Sequence, residues 1–216
     1  MASGLVPLAI TALVGSAIFV GSKGEGRIGP AAAEFHAELT PMNAGVTGLE
    51  STGAARFVVG GDKLTISVRA SKVPPGIMHL QHLHGFEDGR QARCATQADD
   101  ANGDGIVDLI ETEVVSGITM VPLSADPASL AIMTDTYPKA SSDGTYQYQQ
   151  TVSLPVLQQA FARAFNGQAL DLERRVVYIH GVPPSSALPA SVASLGDVPA
   201  QVTLPIACGE IEAGRP

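Results

Sequence analysis

The chain has 216 residues, 45% of them apolar, which is enough to bury one sizeable core, so one domain plus a tail is the expected organisation. Its 13 basic and 21 acidic residues give a net charge of −8, without the basic footprint of a nucleic-acid binder. There is no Trp, aromatics make up only 5%, and 23 Gly and 15 Pro punctuate runs rich in Val and Thr, a pattern of short strands joined by ordered turns.

Residues 5–20 are apolar and uncharged, and Lys23, Glu25 and Arg27 follow at once. This stretch is short for a span of roughly 20 residues and lacks a basic leader; Ala31 to Ala33 offer a late processing site. It is either a cleaved export signal or a retained anchor attaching the protein to a membrane. Both place the remainder outside the cytoplasm, in the periplasm or extracellular space. The two cysteines, Cys94 and Cys208, then favour one disulfide over two buried thiols.

A linker to residue 33 precedes the domain, 34–216. Strands are expected at 34–39 and 56–59, and at 63–69, where polar and apolar residues alternate with period two. Pro74, Pro75 and Gly76 turn the chain into an extended run from Ile77 to His84. Val114 with Val115, 119–123 and 145–152 read as further strands. Residues 154–166 depart from this character: Leu157, Ala160, Phe161, Ala164 and Phe165 share one side and Gly167 follows, which predicts one short amphipathic helix. A strand over 175–179 ends at His180, a Pro/Ser/Ala-rich loop covers 183–199, and a last strand interrupted by Pro205 fills 201–211. The fold class is therefore all-β, with long loops and one short helix.

Residues 99–112 hold a complete EF-hand-type calcium loop as an insertion. Oxygen ligands for a hard cation must converge from one tight turn. Asp100, Asn102 and Asp104 stand at positions one, three and five, Gly105 at six, and Ile106 offers its carbonyl at seven. Asp108 is at nine and Glu111 is the bidentate twelfth. Sensor action needs paired helix-loop-helix units, and only one loop is present, with a β-branched exit too early for a long helix. A structural calcium ion is the expectation, with a Kd on the order of 10⁻⁴ to 10⁻³ M.

On a strand, His82 and His84 point to one face, and His180 on another strand can complete a three-imidazole site of the kind that suits copper or zinc. The pair alone is also compatible with structural histidines. His36 stands apart in the first strand and is read as structural.

The segment from Gly76 to Gly89, with His79, His82 and His84 followed ten residues later by Cys94, resembles the signature of the copper/zinc superoxide dismutase family. Arg175 to His180 resembles the strand bearing that family's last copper histidine, and Ala207-Cys208-Gly209 its C-terminal cysteine segment. The resemblance spans about residues 34–212. It implies a Greek-key β-barrel or sandwich of eight strands, copper held by His82, His84 and His180, His79 as a hydrogen-bonded support, and a Cys94–Cys208 bridge. It also leaves room for a homodimer. Two departures stand out. No histidine lies between His84 and His180, so no zinc is expected and the calcium loop occupies that stretch; and Pro205 stands where the family has its superoxide-guiding arginine. Three functions follow: a copper-only superoxide dismutase, a non-catalytic copper-binding or buffering protein, or a calcium-stabilised structural domain like the related chordin-type (CHRD) β-domains. The corresponding partners are superoxide or copper ions.

Overall fold

In the computed structural model residues 33–214 are described, so the apolar stretch 5–20, expected as an export signal or anchor, lies outside the described residues. Strand β1 (Ala33–Pro41), β2 (Thr52–Gly60) and β3 (Lys63–Ser71) form an antiparallel meander. In β3 the alternation read from sequence is realised: Leu64, Ile66, Val68 and Ala70 are buried between more exposed neighbours. Gly60 pairs with Lys63, so the β2–β3 hairpin has a two-residue turn, and Gly61 supplies the positive φ (61°) such a turn requires.

The chain then crosses to the other side of the sheet for β4 (Gln81–Gly85) and β5 (Ile118–Pro122), and returns to lay β6 (Tyr146–Ser153) against β3. It crosses again for β7 (Val176–His180) beside β4, and β8 (Pro205–Glu210) fits between β7 and β1. The strand order is β5-β4-β7-β8-β1-β2-β3-β6, all neighbours antiparallel, with a two-residue β9 (Glu212–Ala213) on β1. The result is a curled half-barrel of antiparallel strands with few helices. Its concave side is filled by residues such as Phe57, Ile66, Leu83, Val177 and Ile179.

Every residue of β4 and β7 is buried, because both faces are covered. Leu83 and Ile179 face the main core, while Tyr178 and Val176 face a smaller one under the long loops with Phe86, Val107 and Cys208. The Cys94–Cys208 disulfide ties the loop after β4 to β8.

Among the described residues four α-helical segments occur where one helix was expected. Helix α1 (Ala44–Thr47) and α4 (Ala200–Thr203) are single turns, α2 is Leu109–Ser116, and α3 (Leu154–Ala164) is the predicted amphipathic helix with Leu157 and Phe161 buried. Two corrections concern strand assignments. Val114 and Val115, expected as a strand, belong to α2, because Asp108 and Glu111 form a reciprocal capping box that nucleates a helix in spite of the β-branched pair. The strand expected over 201–211 begins only at Pro205, because residues 200–203 close a helical turn through Leu204 N donating to the Ala200 carbonyl.

Candidate metal centre

The β4–β7 register places His82 opposite Tyr178, and the His180 amide donates to the Leu80 carbonyl (2.8 Å), so His180 is the diagonal neighbour of His82 on the same face. His84 follows two residues after His82. The three rings form a triangle with centroids 5.4–6.0 Å apart, and one ligand atom from each lies within 4.8 Å of the others. Among the described residues this is the one group of three His, Cys, Asp or Glu side chains so gathered.

Backbone carbonyls set the ring orientations. His180 Nδ1 donates to the Thr203 carbonyl at 2.8 Å, which leaves Nε2 as the lone-pair nitrogen. His84 Nδ1 faces the Gly117 carbonyl at 3.3 Å, and its Nε2 lies 3.2 Å from Thr119 Oγ1. Gly117 (φ 72°) comes so close to the end of β4 that a Cβ there would overlap the Gly85 carbonyl. His82 Nε2 is 2.8 Å from Tyr137 Oη; when Nδ1 serves as ligand, the Nε2 N–H donates to that oxygen. Two buried nitrogens, His82 Nδ1 and His180 Nε2, have no hydrogen-bond partner among the described residues. Leaving buried polar atoms unpaired is costly, and a metal ion satisfies both. Neutral imidazoles with free lone pairs are the form that binds copper or zinc, so the donor set fits a metal ion.

Burial keeps these rings neutral. It drives the His82 pKa well below the ordinary histidine value, and the neighbouring His180 and His84 add to the effect. It lowers His84 to about 3, helped by His180, and His180 to about 4 against the opposing hydrogen bond to Thr203. His79, itself buried, has its Nδ1 and Nε2 each 2.9 Å from a carbonyl, those of His180 and Pro74, and so braces the backbone of the third ring as expected. Its pKa is lowered by burial, which outweighs the two carbonyls.

A pocket of about 80 Å³ reaches His82 and His180 from outside, lined by Leu80, Leu109, Ile132, Leu195, Val198 and three threonine side chains. Ile132, Leu195 and Val198 are partly exposed at its mouth.

The acidic loop is organised differently from the histidines. The carboxylates of Asp100, Asp104, Asp108 and Glu111 are not gathered in threes within the same distance. Their oxygens hold backbone N–H groups of the loop instead. Asp100 accepts from Gly103 and Gly105, Asn102 Oδ1 from Asp104, Asp104 from Ile106, and Glu111 from Ala101, Asn102 and Asp108. The loop is also tied to the segment that carries Leu195: Ser191 Oγ donates to Asp104 and Ala193 N to Asp108, each at 2.6 Å. Asn43 clamps Val107 from both sides, donating to its carbonyl and accepting from its N–H, and donates to the Pro205 carbonyl as well.

Several of these residues escaped the sequence reading. Tyr178 packs on His84 and His180 at 4.9 and 5.7 Å, and its place two residues before His180 on one strand was a usable signal. Tyr137, Thr119 and Asn43 come from distant loop or strand positions that no local pattern connects to the histidines. Compared with protein-family models and with curated proteins, the sequence matches none.

Proposed function

We propose that this chain is an exported copper-binding protein on a superoxide dismutase-like Greek-key barrel. Copper is held by His82, His84 and His180, and calcium by Asp100, Asn102, Asp104, Asp108, Glu111 and the Ile106 carbonyl. The observation that carries the reading is the pair of buried, unpartnered nitrogens of His82 and His180 facing His84. The barrel reading draws support from the crossings that interleave β4 and β7 with β8 and β1, and from the disulfide between the loop after His84 and the last long strand. A disulfide also fits an oxidising compartment. The calcium part rests on the ligand pattern of the loop and on its tight turn at Gly105 (φ 86°).

In this reading the protein's own residues orient the site. The carbonyls of Thr203 and Gly117 fix which nitrogen of His180 and of His84 carries the lone pair, His84 Nε2 meeting Thr119 Oγ1, His79 braces the third ligand, and Tyr137 and Tyr178 pack against the rings. Bound copper supplies one-electron redox chemistry, which in the family it resembles oxidises one superoxide and reduces another. Dismutation is the second reading here, favoured by the pocket that leaves one side of His82 and His180 accessible. Holding copper is the first, because Pro205 replaces the guiding arginine and no charged side chain lines the approach. Loading the full chain with copper and following superoxide decay separates them. Tight uptake without faster decay is the expected result; faster decay establishes the second reading, and no uptake rejects both.

A further inference from the structure

We infer that the histidine pocket selects copper(I) over copper(II), an inference that rests on the copper-binding reading above. The ligand set is three neutral imidazoles, and no carboxylate or thiolate joins them among the described residues. The walls are aliphatic side chains and threonines, without Lys, Arg, Asp or Glu. Taking an ion out of water into such surroundings has a cost that grows with the square of its charge, so a dication is penalised far more than a monocation. A carboxylate ligand would offset that difference, and none is supplied.

Coordination number points the same way. Copper(II) takes a tetragonal set of nitrogen and oxygen donors, whereas the protein offers three nitrogens on one sheet face. Of the nearby side-chain oxygens, Tyr137 Oη is engaged with His82 Nε2, and Thr119 Oγ1, 3.2 Å from His84 Nε2, is a neutral hydroxyl rather than a charged donor. The pocket beside His82 and His180 is lined by Leu80, Leu109 and Ile132, which offer no donor to an ion held there. An apolar shell around a metal also sets its redox potential, here in the direction of the reduced ion.

The test uses the full chain with its disulfide intact, loaded without oxygen. Affinity for Cu(I) is measured by competition with bicinchoninate and affinity for Cu(II) by competition with nitrilotriacetate, with electron paramagnetic resonance following the loaded protein in air. Cu(I) is expected to bind at least about a hundredfold more tightly relative to the aqueous couple, raising the potential by about 59 mV for each tenfold, and the sample is expected to stay free of a Cu(II) signal. Ile132→Glu and Leu195→Glu, both at exposed positions of the mouth, are expected to cut the preference by about tenfold by adding a nearby negative charge. Equal or tighter binding of Cu(II), or a preference unchanged in both variants, overturns the inference while leaving copper binding intact. Uptake of neither ion overturns the copper-binding reading with it.

Discussion

At His180 one ring nitrogen is engaged by the Thr203 carbonyl and the other by none of the described residues, and that asymmetry is the chemistry of the site. The same division holds at His82, through Tyr137. Because burial depresses the pKa of these rings, acid should unfold the metal-free protein. The unfolded chain takes up protons near pH 6.5, while folded His180 waits until about 4 and His84 until about 3. Between those values the unfolded state binds more protons, so stability falls as pH falls, by at most about 1.4 kcal/mol per pH unit per ring. Urea unfolding midpoints of metal-free protein at pH 7, 5.5 and 4.5 are expected to decline in that order; a flat series contradicts buried neutral rings. His79→Gln, which removes the brace on the His180 backbone, is expected to weaken copper about 10- to 100-fold, read by chelator competition with the circular dichroism spectrum unchanged.

Elements differed in how legible they were. β3 could be read from period two because one face is core and the other meets solvent, and α3 from its apolar stripe. β4 and β7 hide their alternation because loops bury their outer faces, so the histidines were found by residue type rather than by pattern. Helix α2 is hard to read because Val114 and Val115 look like a strand; the deciding signal is Asp108 followed three residues later by Glu111, a pair that the calcium pattern also claims. Glu111 therefore has two roles to separate. Glu111→Ala removes the capping box and three backbone contacts, with an expected loss of about 1–3 kcal/mol by denaturant unfolding in chelator. Millimolar calcium is expected to raise the melting temperature of the natural chain and leave that of the variant unchanged.

Across the described residues, those far apart in sequence meet because the sheet curls and the chain crosses it three times. That long-range closure brings Tyr137, Thr119 and Thr203 to histidines 23 to 55 residues away, and it is the part no local pattern encodes. Order and spacing of the histidines and cysteines did carry the pairing of Cys94 with Cys208, 114 residues apart. Closing so long a loop stabilises by roughly 4–5 kcal/mol through the unfolded chain, so Cys94→Ala with Cys208→Ala is expected to lower unfolding stability by a few kcal/mol. Retention of full stability in that double variant contradicts a structural role for the bridge.

The most direct measurement is copper stoichiometry by equilibrium dialysis on the full chain and on His180→Ala, with unfolding followed in parallel. One copper per natural chain is expected, with uptake lost in the variant, calcium uptake kept, and a melting temperature that rises with copper in the natural chain alone. Equal copper uptake by the folded variant would contradict the three-histidine site.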